Sequence, residues 1–424
     1  MSNYSQLQKT VKVFVDFYDD AEREKLLKYS SKEDIIKIVP STIEIPTSEF
    51  LTYYLFRNKR YFSKKYSHYN VIGRYIKKAF DEIDEFVTFN GQSLNTNLEL
   101  DKQDPHKSEF IGESVGLSTI SRIHNCIEAD WIPIPTKGGR GGAPTFDYQY
   151  YLASTGEEFI QVECKGTAEE NNSLKGKASK HKLDILEKKS DLEKLAKSNG
   201  DPFPASTRYG TITSIDPRKD SILKCWVTDP DSQRIKENPY RLKLLTRMKF
   251  LRDWIAFISP RSSFSTSVNT RIGCLENIQD PQELDKIPLK KINGESFELI
   301  PKNARSNEYS FFTNKSNVED GSSFGHVLKL SENELFFIGI REEFFILASK
   351  QNFEKIMTFR YPSDSIEKII ECVFRVNRFK ELNLPDNKLP HFNESKEHVR
   401  FSLKGQIHYS TSGLVFGVLP VLQK

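Results

Sequence analysis

The sequence predicts an α/β protein. A mixed central sheet flanked by helices occupies its middle, preceded by an α/β amino-terminal region and followed by a β-rich carboxy-terminal domain. Three observations predict this. Helical and extended patterns alternate between His106 and about Pro260, the signature of helices layered on a sheet. The polar run Asn90 to His106, rich in Asn, Gln, Asp and Ser, reads as a linker ahead of it. Turn and strand signals dominate after Arg261. The expected division is therefore 1–105, 106–260 and 261–424.

Composition agrees with folded domains. The 424 residues are 37% hydrophobic and 28% charged, enough apolar material for a sizeable core. Lys and Arg number 62 against 58 Asp and Glu, so net charge excludes no class of partner. Five cysteines, Cys126, Cys164, Cys225, Cys274 and Cys372, are scattered without a CxxC pair. That argues against a disulfide framework or a cysteine zinc site and fits a reducing cytoplasm. No basic region followed by an apolar core opens the chain, and the longest apolar stretch, Leu414 to Leu422, contains Pro420. No secretory signal and no membrane span are expected.

In order, Val11 to Phe17 reads as a strand. Phe50 to Phe80 carries Arg57, Lys59, Arg60, Lys64, Lys65, Arg74, Lys77 and Lys78 with no acid, interleaved with Tyr53, Tyr54, Phe56, Tyr61, Phe62, Tyr66, Tyr69 and Tyr75. Cations on phosphates and rings on bases make this the expected nucleic-acid surface. The alternative is a helix with core aromatics and a solvated basic face. Glu113 to Ile127 has Val115, Ile120, Ile123 and Ile127 near helical spacing. Trp131 to Ile134, interrupted by Pro133, is at best an edge strand. The loop Lys137 to Gly142 could set backbone N–H groups and Arg140 against a phosphate, or be a plain connection.

Phe146 to Ala153 and Phe159 to Lys165 then read as a hairpin around Ser154-Thr155-Gly156. A charged helix follows, Ser173 to Ser198; its Lys175, Lys177, Lys180, His181 and Lys182 could face substrate, while Glu187, Lys188, Lys189 and Asp191 read as solvated. Strands Tyr209 to Ile215 and Ile222 to Val227 and the helix Tyr240 to Phe257 complete the region. Beyond it, Leu335 to Ile340 and Glu343 to Leu347 read as a hairpin, and Val399 to Leu422 as strands.

The chemistry converges on the first hairpin. Glu163 and Lys165 are two apart and share a strand face, with Cys164 on the other. A three-residue turn with Gly156 in its left-handed position opposes Ala153 to Glu157 and Asp147 to Glu163. Opposed β-carbons lie roughly 5 Å apart, and two carboxylates so close call for a cation. Hard oxygen ligands suit Mg²⁺, with Mn²⁺ an alternative. Lys165 could orient water and stabilise phosphate charge. Gly112 and Gly116 would let the preceding helix approach the sheet and bring Glu113, at its start, near the pair. Glu113 reads equally as a first-turn acid favoured by the helix dipole.

This arrangement resembles the PD-(D/E)xK nuclease superfamily, the restriction-endonuclease-like fold. The resemblance covers about His106 to Pro260. It implies metal ligation by Glu113, Asp147 and Glu163 and assistance to hydrolysis by Lys165. Pro144 departs from the pattern, three residues before Asp147 and not adjacent to it. The expected function is Mg²⁺-dependent endonucleolytic cleavage of DNA, with RNA open, in prokaryotic restriction or anti-phage defence. Expected partners are the nucleic acid, a second copy of the chain, or a protein supplying ATPase or sensing activity, since no P-loop is present. The rival is a catalytically silent nucleic-acid-binding or structural subunit. No HExxH pattern supports zinc hydrolysis.

Overall fold

The computed structural model describes residues 10–28, 31–56, 76–82, 87–90, 93–96, 106–134, 148–151, 159–199, 207–216, 221–229, 239–258, 263–278, 280–285, 311–313, 323–376 and 398–421, together with 205, 218, 379–380, 383–384, 389 and 392–396. Among them the chain is mixed α/β, with two seven-stranded sheets. It divides into two compact units, one from residues 6–58 and 81–243, the other mainly from residues 244–424.

The first unit runs β1 (Thr10–Phe17), α1 (Asp20–Leu26), α2 (Lys32–Ile38), β2 (Ser41–Pro46), α3 (Thr47–Phe56), the hairpin β3 (Val87–Asn90) and β4 (Ser93–Thr96), and α4 (His106–Ile123). It continues with β5 (Ile132–Pro133), β6 (Tyr148–Tyr151), β7 (Phe159–Ala168), α5 (Gly176–Asn199), β8 (Thr207–Ile215) and β9 (Leu223–Thr228), and reaches α6 (Pro239–Ile258). The sheet order is β2-β1-β9-β8-β7-β6-β5. Strands β7 and β8 are parallel across the α5 crossover, β6 is antiparallel to β7, and β9 is antiparallel to β8. Interrupted by its proline, β5 sits at the edge, as its sequence requires.

Two strands from residues 1–105 belong to this sheet. Strand β1 lies parallel to β9, with Val15 opposite Cys225, and β2 pairs antiparallel with β1. Strand β9 is buried along nearly its whole length, so its outer edge needs a ladder partner. In β1, Val11, Val13, Val15 and Phe17 form the buried alternate set that supplies one. The pairing joins residues about two hundred positions apart, which no local pattern announces.

Two elements pack through missing side chains. A β-carbon on Gly112 of α4 would lie 2.5 Å from the Gly166 nitrogen, and one on Gly116 would lie 2.2 Å from Thr211 Oγ1. The helix therefore rests directly on β7 and β8. On the opposite face α5 presents Ala178 and Ile185 to Ile212, Trp226 and Tyr18.

The second unit contains α7 (Ser263–Asn277), α8 (Pro281–Asp285), β10 (Phe311–Thr313), β11 (Ser323–Ser331), β12 (Glu334–Arg341), α9 (Glu342–Lys350) and α10 (Phe353–Thr358). Strands β13 (Asp364–Arg375), β14 (Asn393–Glu394), β15 (His398–Tyr409) and β16 (Leu414–Pro420) complete it. Its sheet order is β13-β10-β11-β12-β16-β15-β14, and an additional β13–β15 pairing returns the sheet on itself. Closure removes exposed edges. Its apolar filling includes Val327, Phe337, Ile370, Phe401, Leu403 and Ile407.

Glu343 to Leu347 is helical within α9, not the second arm of a hairpin. Phe344, Leu347 and Ala348, spaced for one helix face, are buried, and Glu342 and Glu343 occupy the first turn. The hairpin partner of β12 is β11.

Candidate active site

Strand β7 has the expected parity. A β-carbon on Gly116 of α4 would meet Cys164 Sγ at 2.8 Å, so Cys164 points to the α4 side. Glu163 points to the α5 side, where Lys188 of α5 reaches it. Its Oε1 accepts from Lys165 Nζ at 2.6 Å and from Lys188 Nζ at 2.5 Å. Glu163 is fully buried, and its Oε2 has no hydrogen-bond partner among the described residues. Leaving a buried carboxylate oxygen bare is costly. Two rungs away on the same face, Arg208 Nε of β8 donates to Gln161 Oε1 at 3.2 Å, with both side chains buried.

The hairpin register is also as expected. Tyr148 pairs with Val162 and Gln149 with Gln161. Asp147 itself lies outside the described residues, as do Arg140 and the cations Arg57, Lys59, Arg60, Lys64 and Lys65.

Glu113 does not begin its helix. Helix α4 starts at His106, so Glu113 lies well inside it, where no helix-terminus role is available. It is half-buried and follows Gly112, which lies against the Lys165–Gly166 backbone. The aromatics Tyr53, Tyr54 and Phe56 of the basic segment are core residues, almost fully buried in α3. Tyr53 Oη and Ser121 Oγ are hydrogen-bonded at 2.8 Å. Base stacking by these three rings is thereby excluded.

Lys188, which the sequence alone places on a solvated face, is instead held by Glu163. It occupies a stripe of α5 running Ala178, His181, Ile185, Lys188 and Leu192, whose apolar members are buried. The alternating steps of three and four residues are the legible signal. His181, on the same stripe, has its imidazole pKa lowered, first by burial and then by the positive charge of Lys165, against the opposing charge of Asp184. It is thereby biased toward the neutral form beside the site.

Among the described residues Glu163 supplies one donor of the kind a divalent cation takes. Glu163 offers a buried, bare oxygen, and hard carboxylate donors suit Mg²⁺ or Mn²⁺. Among the described residues no group of three metal-ligating side chains converges. No described helix is long and apolar enough to cross a membrane. No family model, curated protein or solved structure matches the chain.

Proposed function

We propose that the chain is a Mg²⁺-dependent endonuclease acting on DNA, with a restriction-endonuclease-like core formed by α4, β5, β6, β7, α5, β8 and β9. The observation that carries this reading is Glu163, fully buried, with one bare oxygen and Lys165 on the same strand face. The surrounding order supports it: an antiparallel β6–β7 hairpin, a helical crossover, and β8 parallel to β7. Asp147, which the reading requires opposite Glu163, lies outside the described residues.

In this reading Glu163 and Asp147 would hold the ion, which when bound supplies Lewis acidity at a phosphoryl oxygen. Glu113 rides on α4, which packs on the opposite, Cys164 face of the sheet, and is not assigned to it. Lys165 would stabilise the charge that accumulates on the phosphate during hydrolysis. Burial of Glu163 and the α5 stripe would keep bulk water from the carboxylate. A role in prokaryotic restriction or anti-phage defence rests on the resemblance alone.

A second reading is a silent nucleic-acid-binding subunit. It is favoured by one observation, that two ammonium groups already neutralise Glu163. Purified protein incubated with plasmid, single-stranded DNA and RNA, with Mg²⁺ or with chelator, separates the two. Metal-dependent cleavage lost in Glu163→Gln supports the enzyme; binding without cleavage of any substrate supports the silent subunit. Cleavage confined to RNA would move the substrate assignment.

A further inference from the structure

We propose that Lys188 is a resident counter-cation of the metal site, holding Glu163 while no divalent ion is bound and releasing it when one arrives. The inference rests on the reading of Glu163 as a metal ligand and adds a positioning residue to it.

Lysine is an unexpected occupant of its position. The stripe neighbours Ile185 and Leu192 are buried, and a charged group beside them loses hydration unless a partner compensates. Glu163 is that partner, at 2.5 Å. Lys165, two residues along the same strand face, already supplies one positive charge at 2.6 Å. Both ammonium groups converge on Oε1, and Oε2 is left bare.

Two ammonium groups at one oxygen repel each other. Together they bring to Glu163 the charge of one divalent cation. The arrangement therefore holds a buried carboxylate oriented without metal. An arriving ion need only displace ammonium groups, with no rebuilding of the strand. The lysine side chains are 20% and 31% exposed, so both retain a path toward solvent. The cost is competition: each ammonium weakens the apparent affinity for the ion.

The test is calorimetric titration of Mn²⁺, without nucleic acid, into the full chain and into Lys188→Met, Lys188→Gln and Lys188→Arg at one pH and ionic strength. Thermal unfolding is measured alongside, in chelator and in Mn²⁺. The neutral variants should bind Mn²⁺ roughly tenfold more tightly, equivalent to about 1.4 kcal/mol. They should melt lower than wild type in chelator and recover in Mn²⁺, while Lys188→Arg follows wild type. Using both Met and Gln keeps the test open if one variant fails to fold. Equal affinity across all four proteins overturns the inference and leaves the metal reading intact, as does weaker binding by the neutral variants. Absence of Mn²⁺ binding in all four overturns the metal reading and the inference with it.

Discussion

Gly166 of β7 passes so close to Ser108 of α4 that a β-carbon on Gly166 would lie 1.7 Å from the Ser108 carbonyl oxygen. The contact falls one residue after Lys165 and sets how deeply the Glu113 helix seats on the sheet. The obstructing atom is backbone, which cannot rotate away as a side chain would. Gly166→Ala should therefore destabilise the protein by about 3 kcal/mol, the upper part of the range for overpacking. Gly273 of α7 provides the contrast, because nothing lies within 4 Å of its missing β-carbon. Gly273→Ala should stabilise its helix by about 0.5–1 kcal/mol. Urea unfolding of both variants checks the pair.

Face assignment on β7 predicts an alternating pattern of activity. Asp147→Ala, Glu163→Ala and Lys165→Ala should each reduce Mg²⁺-dependent cleavage by at least about a hundredfold, in line with removal of a group that acts on developing charge. Cys164→Ser, on the α4 side, should remain active. Initial rates on a plasmid substrate measure this. Full activity in both carboxylate variants would remove the site from consideration.

The basic segment separates into two kinds of residue. Charge reversal at Lys64 and Lys65 should weaken nucleic-acid binding uniformly across sequences and flatten its salt dependence, because phosphate contacts carry no base information. Tyr53→Phe should leave binding unchanged and cost about 1 kcal/mol of stability through loss of the hydrogen bond with Ser121. Anisotropy titrations at several salt concentrations, beside urea melts, distinguish the two.

Acid should destabilise the fold through two buried histidines. Burial lowers His124 and His408 to about 3. Each stays neutral in the folded protein, hydrogen-bonded to Tyr209 Oη and Ser365 Oγ respectively. The folded pKa lies below the unfolded value of about 6.5, so the unfolded chain binds more protons between the two. Stability is full above about pH 6.5 and falls toward pH 3, each histidine contributing a slope of about 1.4 kcal/mol per pH unit. Urea melts from pH 7 to pH 4 should show His408→Gln losing one proton's share of that slope.

How much was legible in the sequence follows the range of the interactions involved. The α5 and α6 helices, the β8 and β9 strands and the β6–β7 hairpin come from local periodicity and a short turn. Their prediction needs no knowledge of distant partners. The hairpin turn also fixes register, so Tyr148 opposite Val162 could be foreseen. Strand parity did the same for Glu163, Lys165 and Cys164, because successive side chains on a strand must alternate.

What only the tertiary structure decided depends on residues remote in sequence. Strand β1 completes the central sheet because β9 offers an edge that β1 can satisfy, and the linear text carries no mark of that edge. The rings of α3 pack inward because neighbouring elements provide a core for them, so an acid-free aromatic run did not by itself distinguish a base-stacking surface from an interior. Helix α9 occupies a segment whose short apolar run suits either secondary structure, and packing of Phe344 and Leu347 chose the helix. Lys188 is the sharpest case. Its spacing along α5 was visible, but a lysine on a charged helix looks solvated until a strand brings Glu163 beneath it. Charge and periodicity along the chain set which groups could meet; burial by distant elements decided which of them do.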